Sequence, residues 1–82
     1  MTEESKKIID RLRVLRLKKG MSQQEVADAL GILQGNIARI EHGKHNTGID
    51  IIAKYARLLG HEIDLVEVGN VRPIVGPPRA DD

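Results

Sequence analysis

Apolar residues recur at three- and four-residue intervals in four stretches of this chain, and then the period changes. Over residues 6–19, Ile8, Leu12 and Leu15 fall at i, i+4 and i+7, with Ile9 and Val14 beside them. That spacing lines one face of a helix. Ser5 is placed to cap its start and Gly20 to stop it. The second stretch opens on Ser22-Gln23-Gln24-Glu25. This is a capping box: the Ser22 side chain accepts from the Glu25 N–H, and the Glu25 carboxylate reaches back to the Ser22 N–H. Val26, Ala27 and Leu30 form the apolar stripe that follows, and Gly31 breaks the run. A helix of about two turns is unstable alone in water, so packing must hold it. Residues 34–41 resume helical spacing, with Ile37 and Ile40 inward, Ala38 beside them and Gly43 closing the helix. Lys44 to Gly48 reads as loop. A fourth helix is predicted over 49–59, with Ile49, Ile52, Ala53, Ala56 and Leu59 inward and Gly60 after it.

Beyond Gly60 the period shortens to two. Ile63 and Leu65 alternate with Glu62 and Asp64, and Val66 and Val68 add β-branched residues, so a short strand is predicted over 62–68. Gly69-Asn70 is a turn signal, and Val71 to Val75 reads as a second strand, at an edge because it contains Pro73. Residues 76–82 have nothing to bury and read as a loose tail. The expected organisation is a helical domain over 1–60, an extension over 61–75 and a tail over 76–82.

A chain of 82 residues forms one domain with a small core. With one Tyr and no Phe, Trp or Cys, that core is expected to be aliphatic. The absence of Cys excludes a disulfide framework and a zinc finger and fits a cytoplasmic location. No apolar stretch approaches the ~20 residues of a membrane span. No apolar segment behind the first residues suggests a signal peptide. A net charge of +1 says little about nucleic acid, but its distribution says more. Lys6, Lys7, Arg11, Arg13, Arg16, Lys18 and Lys19 crowd the first helix around a single acid, Asp10, whereas Asp50, Glu62, Asp64, Glu67, Asp81 and Asp82 gather later. No Ser or His stands with an orienting acid, and no Gly-rich phosphate loop follows a strand. His42 and His45 are three apart, but no acidic pair completes a metal site. The chain is therefore expected to be no enzyme and to take no cofactor and no metal.

The informative stretch runs from Gln23 to His42. Ala27 stands where the second and third helices must come close, and Gly31 supplies the backbone freedom for a tight turn. Val26, Leu30, Ile32, Ile37 and Ile40 lock the pair to the rest. Gln34, Gly35, Asn36 and Arg39 are left facing outward near a helix N-terminus.

The run SQQEVADALGILQGNIARIEHG, Ser22 to Gly43, resembles the helix-turn-helix of the phage repressor and Cro family, the XRE type. Its marks are the Ser-Gln start, the small Ala27, the turn Gly31, and the closing Ile37…Ile40-Glu41-His42-Gly43. Matching flanks extend the resemblance over 8–60: Arg16 stands four before Gly20, and Ala56-Arg57-Leu58-Leu59-Gly60 ends the fourth helix. The resemblance implies an all-α fold, a compact bundle of four to five helices, with the short C-terminal strand added. It implies a recognition helix whose start reads bases in the major groove through Leu33, Gln34, Gly35 and Asn36. A Gln amide at position 34 suits the N6/N7 edge of adenine. Gln23, Gln24, Arg39, Lys44 and Asn46 match positions that meet the DNA backbone or bases, Gln23 alternatively bracing the recognition helix. Arg16 and Glu41 match a salt bridge between the first and third helices. The chain departs from the pattern at Leu33, where family members carry a capping Ser or Thr, and Gly35 adds flexibility. Together these changes cost about 1–2 kcal/mol at the helix start. Either Leu33 makes an apolar contact with a thymine methyl, or the helix start orders only on DNA.

The function implied is a sequence-specific regulator of transcription, a repressor, that binds double-stranded DNA as a homodimer on a palindromic operator. Ile63, Leu65, Val66 and Val68 are the expected dimerisation residues, pairing as a strand with the two-fold mate; a fifth helix in this region is the alternative. A second reading is an antitoxin that binds a toxin protein through the acidic, Pro-rich tail and represses its own operon. A third is a co-activator that binds a protein partner and touches DNA weakly. None of the three involves a membrane.

Overall fold

The computed structural model describes residues 2–44 and 46–69. Four helices follow in order: α1 (Glu3–Lys18), α2 (Gln23–Leu30), α3 (Gln34–His42) and α4 (Ile49–Leu58). The start of α1 lies ahead of the expected one. Thr2, not Ser5, is the cap: its hydroxyl accepts the Ser5 N–H at 3.0 Å. Glu3 and Glu4 then occupy the first turn, where carboxylates meet the positive end of the helix dipole. The buried face of α1 is Ile9, Leu12 and Arg16. Ile8 and Val14 are exposed and Leu15 is half-buried, so the face is turned from the purely apolar stripe. The cause is Arg16, a charged residue drawn inward by a partner on α3.

The capping box of α2 forms in both directions, each bond at 3.0 Å. Val26 and Ala27 lose all exposure against α3 and α4. At Gly31 the chain turns with φ 71°, and the Ile32 N–H donates back to the Ala27 carbonyl at 3.0 Å. A Cβ at Gly31 would meet nothing within 4 Å, so the demand for glycine there is set by the backbone alone. On α4 the inward residues are Ile52, Tyr55, Ala56 and, at the cap, Leu59. Ile49, expected inward, sits at the helix start and is 71% exposed. Tyr55 is fully buried, so the core is aliphatic around one aromatic ring rather than wholly aliphatic.

After α4 the His61 N–H donates to the Ala56 carbonyl at 2.8 Å and ties down the exit of the chain. Residues 61–68 form neither strand nor fifth helix within the single chain. Ile63 packs half-buried on the core, while Leu65, Val66 and Val68 stay exposed. A strand needs a second edge, and the described residues of one chain offer none. The second strand and the tail, expected over 71–82, lie outside the described residues.

The four helices converge on one carboxylate. Glu41 on α3 accepts two hydrogen bonds from Arg16 on α1, at 2.7 and 2.9 Å, one from the Tyr55 hydroxyl on α4 at 2.5 Å and one from the Gln23 amide on α2 at 3.2 Å. The remaining guanidinium nitrogen of Arg16 donates to the Met21 carbonyl at 2.8 Å. Among the described residues no buried side-chain polar atom lacks a partner. Burial pushes the Glu41 carboxyl up, but the hydrogen bonds from Arg16, Tyr55 and Gln23 together outweigh it and hold the group below its ordinary pKa. The hydrogen bond to Glu41 raises Arg16 in turn. Burial, and then the neighbouring carboxylate, push the Tyr55 phenol far above its ordinary value.

Two consequences are measurable. Gly31→Ala forces a side chain into a left-handed conformation with no compensating contact, and should lower the unfolding free energy by about 1–2 kcal/mol in urea titrations. An unchanged midpoint would contradict the turn geometry. Because the folded pKa of Glu41 lies below its unfolded value, its contribution to stability is complete above the ordinary carboxylate range and disappears as pH falls through the depressed value. Tyr55→Phe removes a hydrogen bond to a charged acceptor, worth roughly 1.5–3 kcal/mol. It should also raise the folded pKa of Glu41, so that acid unfolding begins at higher pH. Acid limbs that superimpose for the two proteins would show that Tyr55 does not support the charge.

Candidate nucleic-acid interface

The inner face of α3 is sealed by Ile37, Ile40 and Glu41, and its outer face carries Gln34, Gly35, Asn36 and Arg39, all exposed. The link between the two faces runs through glutamines. Gln23 donates its Nε2 to Glu41, and its Oε1 accepts from the Gln34 Nε2 at 2.7 Å. The direction of this relay is dictated by charge. An ionised carboxylate only accepts, so Gln23 must turn its NH₂ toward Glu41 and its oxygen toward Gln34. Gln34 must then spend one N–H on Gln23. Its Oε1 and second N–H are left facing outward, an acceptor beside a donor, which matches the N6/N7 edge of an adenine. Gln23 thus braces the Gln34 side chain at the start of α3.

The neighbouring positions differ in how they are held. Leu33, at the N-cap of α3, makes no side-chain cap bond and is 77% exposed. Only its carbonyl takes part in the helix start, accepting the Asn36 N–H at 2.9 Å. Gln24 donates to Asp28 on its own helix at 2.8 Å. Arg39 makes no ion pair among the described residues. It lines a cleft with Asn36 on one side and Asn46 and Thr47 on the other. Lys44, just past the end of α3, is exposed. His45 lies outside the described residues. Across the α1–α3 junction, Arg13, Gln23 and His42 share a shallow polar groove with Asp10 and Glu41.

Sequence reasoning gave Arg13 and His42 no place near Gln23, and did not include Tyr55 among the partners of Glu41. The signal for Tyr55 was present, since with Ile52, Ala56 and Leu59 it completes an i, i+3, i+4, i+7 stripe. Of the residues expected in dimerisation, Ile63 lies apart from the glutamines, in a groove with Ile8, Ile49 and Ile52, and Leu65, Val66 and Val68 extend beyond it. Among the described residues no group of three His, Cys, Asp or Glu could hold a metal ion, and no helix is long and apolar enough to cross a membrane.

Comparison with known proteins points the same way as this geometry. Residues 12–66 match the family model described as helix-turn-helix. A protein of Archaeoglobus fulgidus, named as an uncharacterized HTH-type transcriptional regulator, is 35% identical over 54 residues, which span 66% of this chain and 77% of that protein. An SPbeta prophage-derived uncharacterized HTH-type transcriptional regulator of Bacillus subtilis, YonR, is 35% identical over 60 residues, which span 73% of this chain and 56% of that protein. The chain thus matches little more than half the length of the second relative. No solved structure gives a significant match. With the capping box, the left-handed glycine turn and the half-exposed third helix in place, the chain belongs to the helix-turn-helix family of the phage repressor and Cro type.

Proposed function

We propose that this protein is a sequence-specific DNA-binding regulator of transcription, a repressor, that binds a palindromic operator as a homodimer. The observation that carries the reading is the relay from Glu41 through Gln23 to Gln34. It fixes the orientation of an exposed amide at the start of α3, where a recognition helix meets base edges. The relatives named as transcriptional regulators support the same class. In this reading Gln34 takes adenine, and the exposed Leu33 beside it packs on a thymine methyl. Gly35 lets the backbone approach, and Asn36 reads or brackets the adjacent base. Gln23, Gln24, Arg39, Lys44 and Asn46 supply backbone or further base contacts. Residues 1–60 are the DNA-binding domain, 61–75 the dimerisation extension and 76–82 a tail. One helix-turn-helix reads half a site, so a two-fold pair is needed for half-sites about one DNA turn apart. The protein acts in the cytoplasm, on DNA, without a catalytic step.

Selection of bound sites from a random duplex library at near-physiological salt tests this. A palindrome is expected. An unenriched library, with binding that vanishes as salt rises, would instead favour a protein partner such as a toxin. On the selected operator, Gln34→Ala should cost about 1–3 kcal/mol and relax preference at one base pair per half-site. Lys44→Ala should weaken all sequences alike and reduce the salt slope by about one. A Gln34→Ala protein with unchanged preference would remove Gln34 from the reading set.

A further inference from the structure

Both oxygens of the Glu41 carboxylate are taken up by donors. Oε2 accepts from the Arg16 Nε at 2.7 Å and from the Tyr55 hydroxyl at 2.5 Å. Oε1 accepts from the Arg16 Nη2 at 2.9 Å and from the Gln23 Nε2 at 3.2 Å. Arg16 and Tyr55 are buried, whereas Gln23 is half-buried and bonded on its far side to the exposed Gln34. Gln23 is therefore the route by which the charge of Glu41 reaches the outer face of α3.

A Gln amide carries its acceptor and its donor on one carbon, and a half-turn exchanges them with almost no change of shape. Packing alone therefore does not distinguish the two settings of Gln23 or of Gln34; their partners do. Glu41, an acceptor paired with Arg16, requires the NH₂ of Gln23, and the oxygen of Gln23 then requires the NH₂ of Gln34. The outward edge of Gln34 consequently runs from N–H, on the Gln23 side, to oxygen. In the turned setting the same edge runs from oxygen to N–H. Adenine presents the N7 acceptor and the N6 donor in a fixed order, so in one pose it pairs with one setting only. Against the other setting, donor meets donor and acceptor meets acceptor.

We propose that the Glu41–Gln23 pair determines base specificity: the direction that the buried carboxylate imposes on the Gln23 amide sets the donor–acceptor order that Gln34 offers, and so which base is preferred there. Glu41 and Gln23 act here as positioning residues, through Gln34. The inference rests on the base-reading role of Gln34 given above and adds what sets its choice.

Site selection with the parent protein and its Gln23→Lys and Gln23→Met variants tests the proposal. Lys at position 23 only donates. It serves Glu41 as Gln23 does, but it offers N–H to Gln34 as well and so turns the Gln34 oxygen inward. The base preferred by the parent at the Gln34 pair should then be disfavoured by at least about fivefold, with a different base in its place and the rest of the operator unchanged. The added charge raises affinity for all sequences alike, so preference and not affinity is the readout. Met at position 23 offers Gln34 no partner and frees its amide to turn, so discrimination at that base pair should be lost without a new preferred base. A Gln23→Lys protein that keeps the parent's base overturns the proposal. Glu41→Gln removes the charge that imposes the direction and should broaden the preference as Gln23→Met does. Glu41 is buried, so circular dichroism checks the fold of that variant, and the two variants at the half-buried Gln23 decide if it does not fold. A parent that selects no motif, or one whose preference survives Gln34→Ala, overturns the base-reading role of Gln34 and this proposal with it. A motif that Gln34→Ala relaxes and Gln23→Lys leaves unchanged overturns this proposal alone.

Discussion

The arrangement of this molecule depends on the charge of one side chain. Glu41 belongs to α3 and receives hydrogen bonds from α1, α2 and α4, so no helix can shift without breaking one of them. A buried ion pair of this kind adds little net stability, because desolvation of both partners offsets their attraction. Its value is in selecting one packing among many. The apolar core is small, and Ile, Leu and Val contacts tolerate sliding; the Arg16–Glu41 fork, with two parallel bonds, does not.

From that carboxylate, order propagates to the surface. A long exposed Gln normally loses rotamer freedom when it binds, and that loss subtracts from affinity. Here Gln34 is already held by Gln23, and Gln23 by Glu41, so part of the ordering is accomplished during folding. Leu33 shows the opposite tendency. The residue that would cap α3 is apolar and exposed, so the helix start is held from the Gln34 side and from the main-chain bond of Asn36, not from a cap.

Much of this was legible in the chain, and the parts that were not share a cause. The Ser22 capping box, the Gly31 turn and the small Ala27 are local or nearest-neighbour features, and each appears where its residue type demands. The Arg16–Glu41 pair, 25 residues apart, was legible only through the resemblance to a known family. Periodicity counts apolar residues, so it could not see that α1 turns to bury an arginine, or that Ile49 is left at the helix edge while Tyr55 goes to the centre. The apolar stripe begins near Ser5 and so favours it as the cap, but Thr2 lies ahead of two acids that prefer the first turn. The segment 62–68 has the composition of a strand. A strand is a relation between two segments, and composition describes only one of them.

Tyr55 is the only aromatic residue in the chain, apart from the histidines. Its phenol ends on Glu41, where the four helices meet. The near-ultraviolet signal of this protein therefore comes from a single position, with no second ring to dilute it. A change in that signal, on acidification or during refolding, reports the surroundings of Tyr55, which touches the central carboxylate, without any label being introduced.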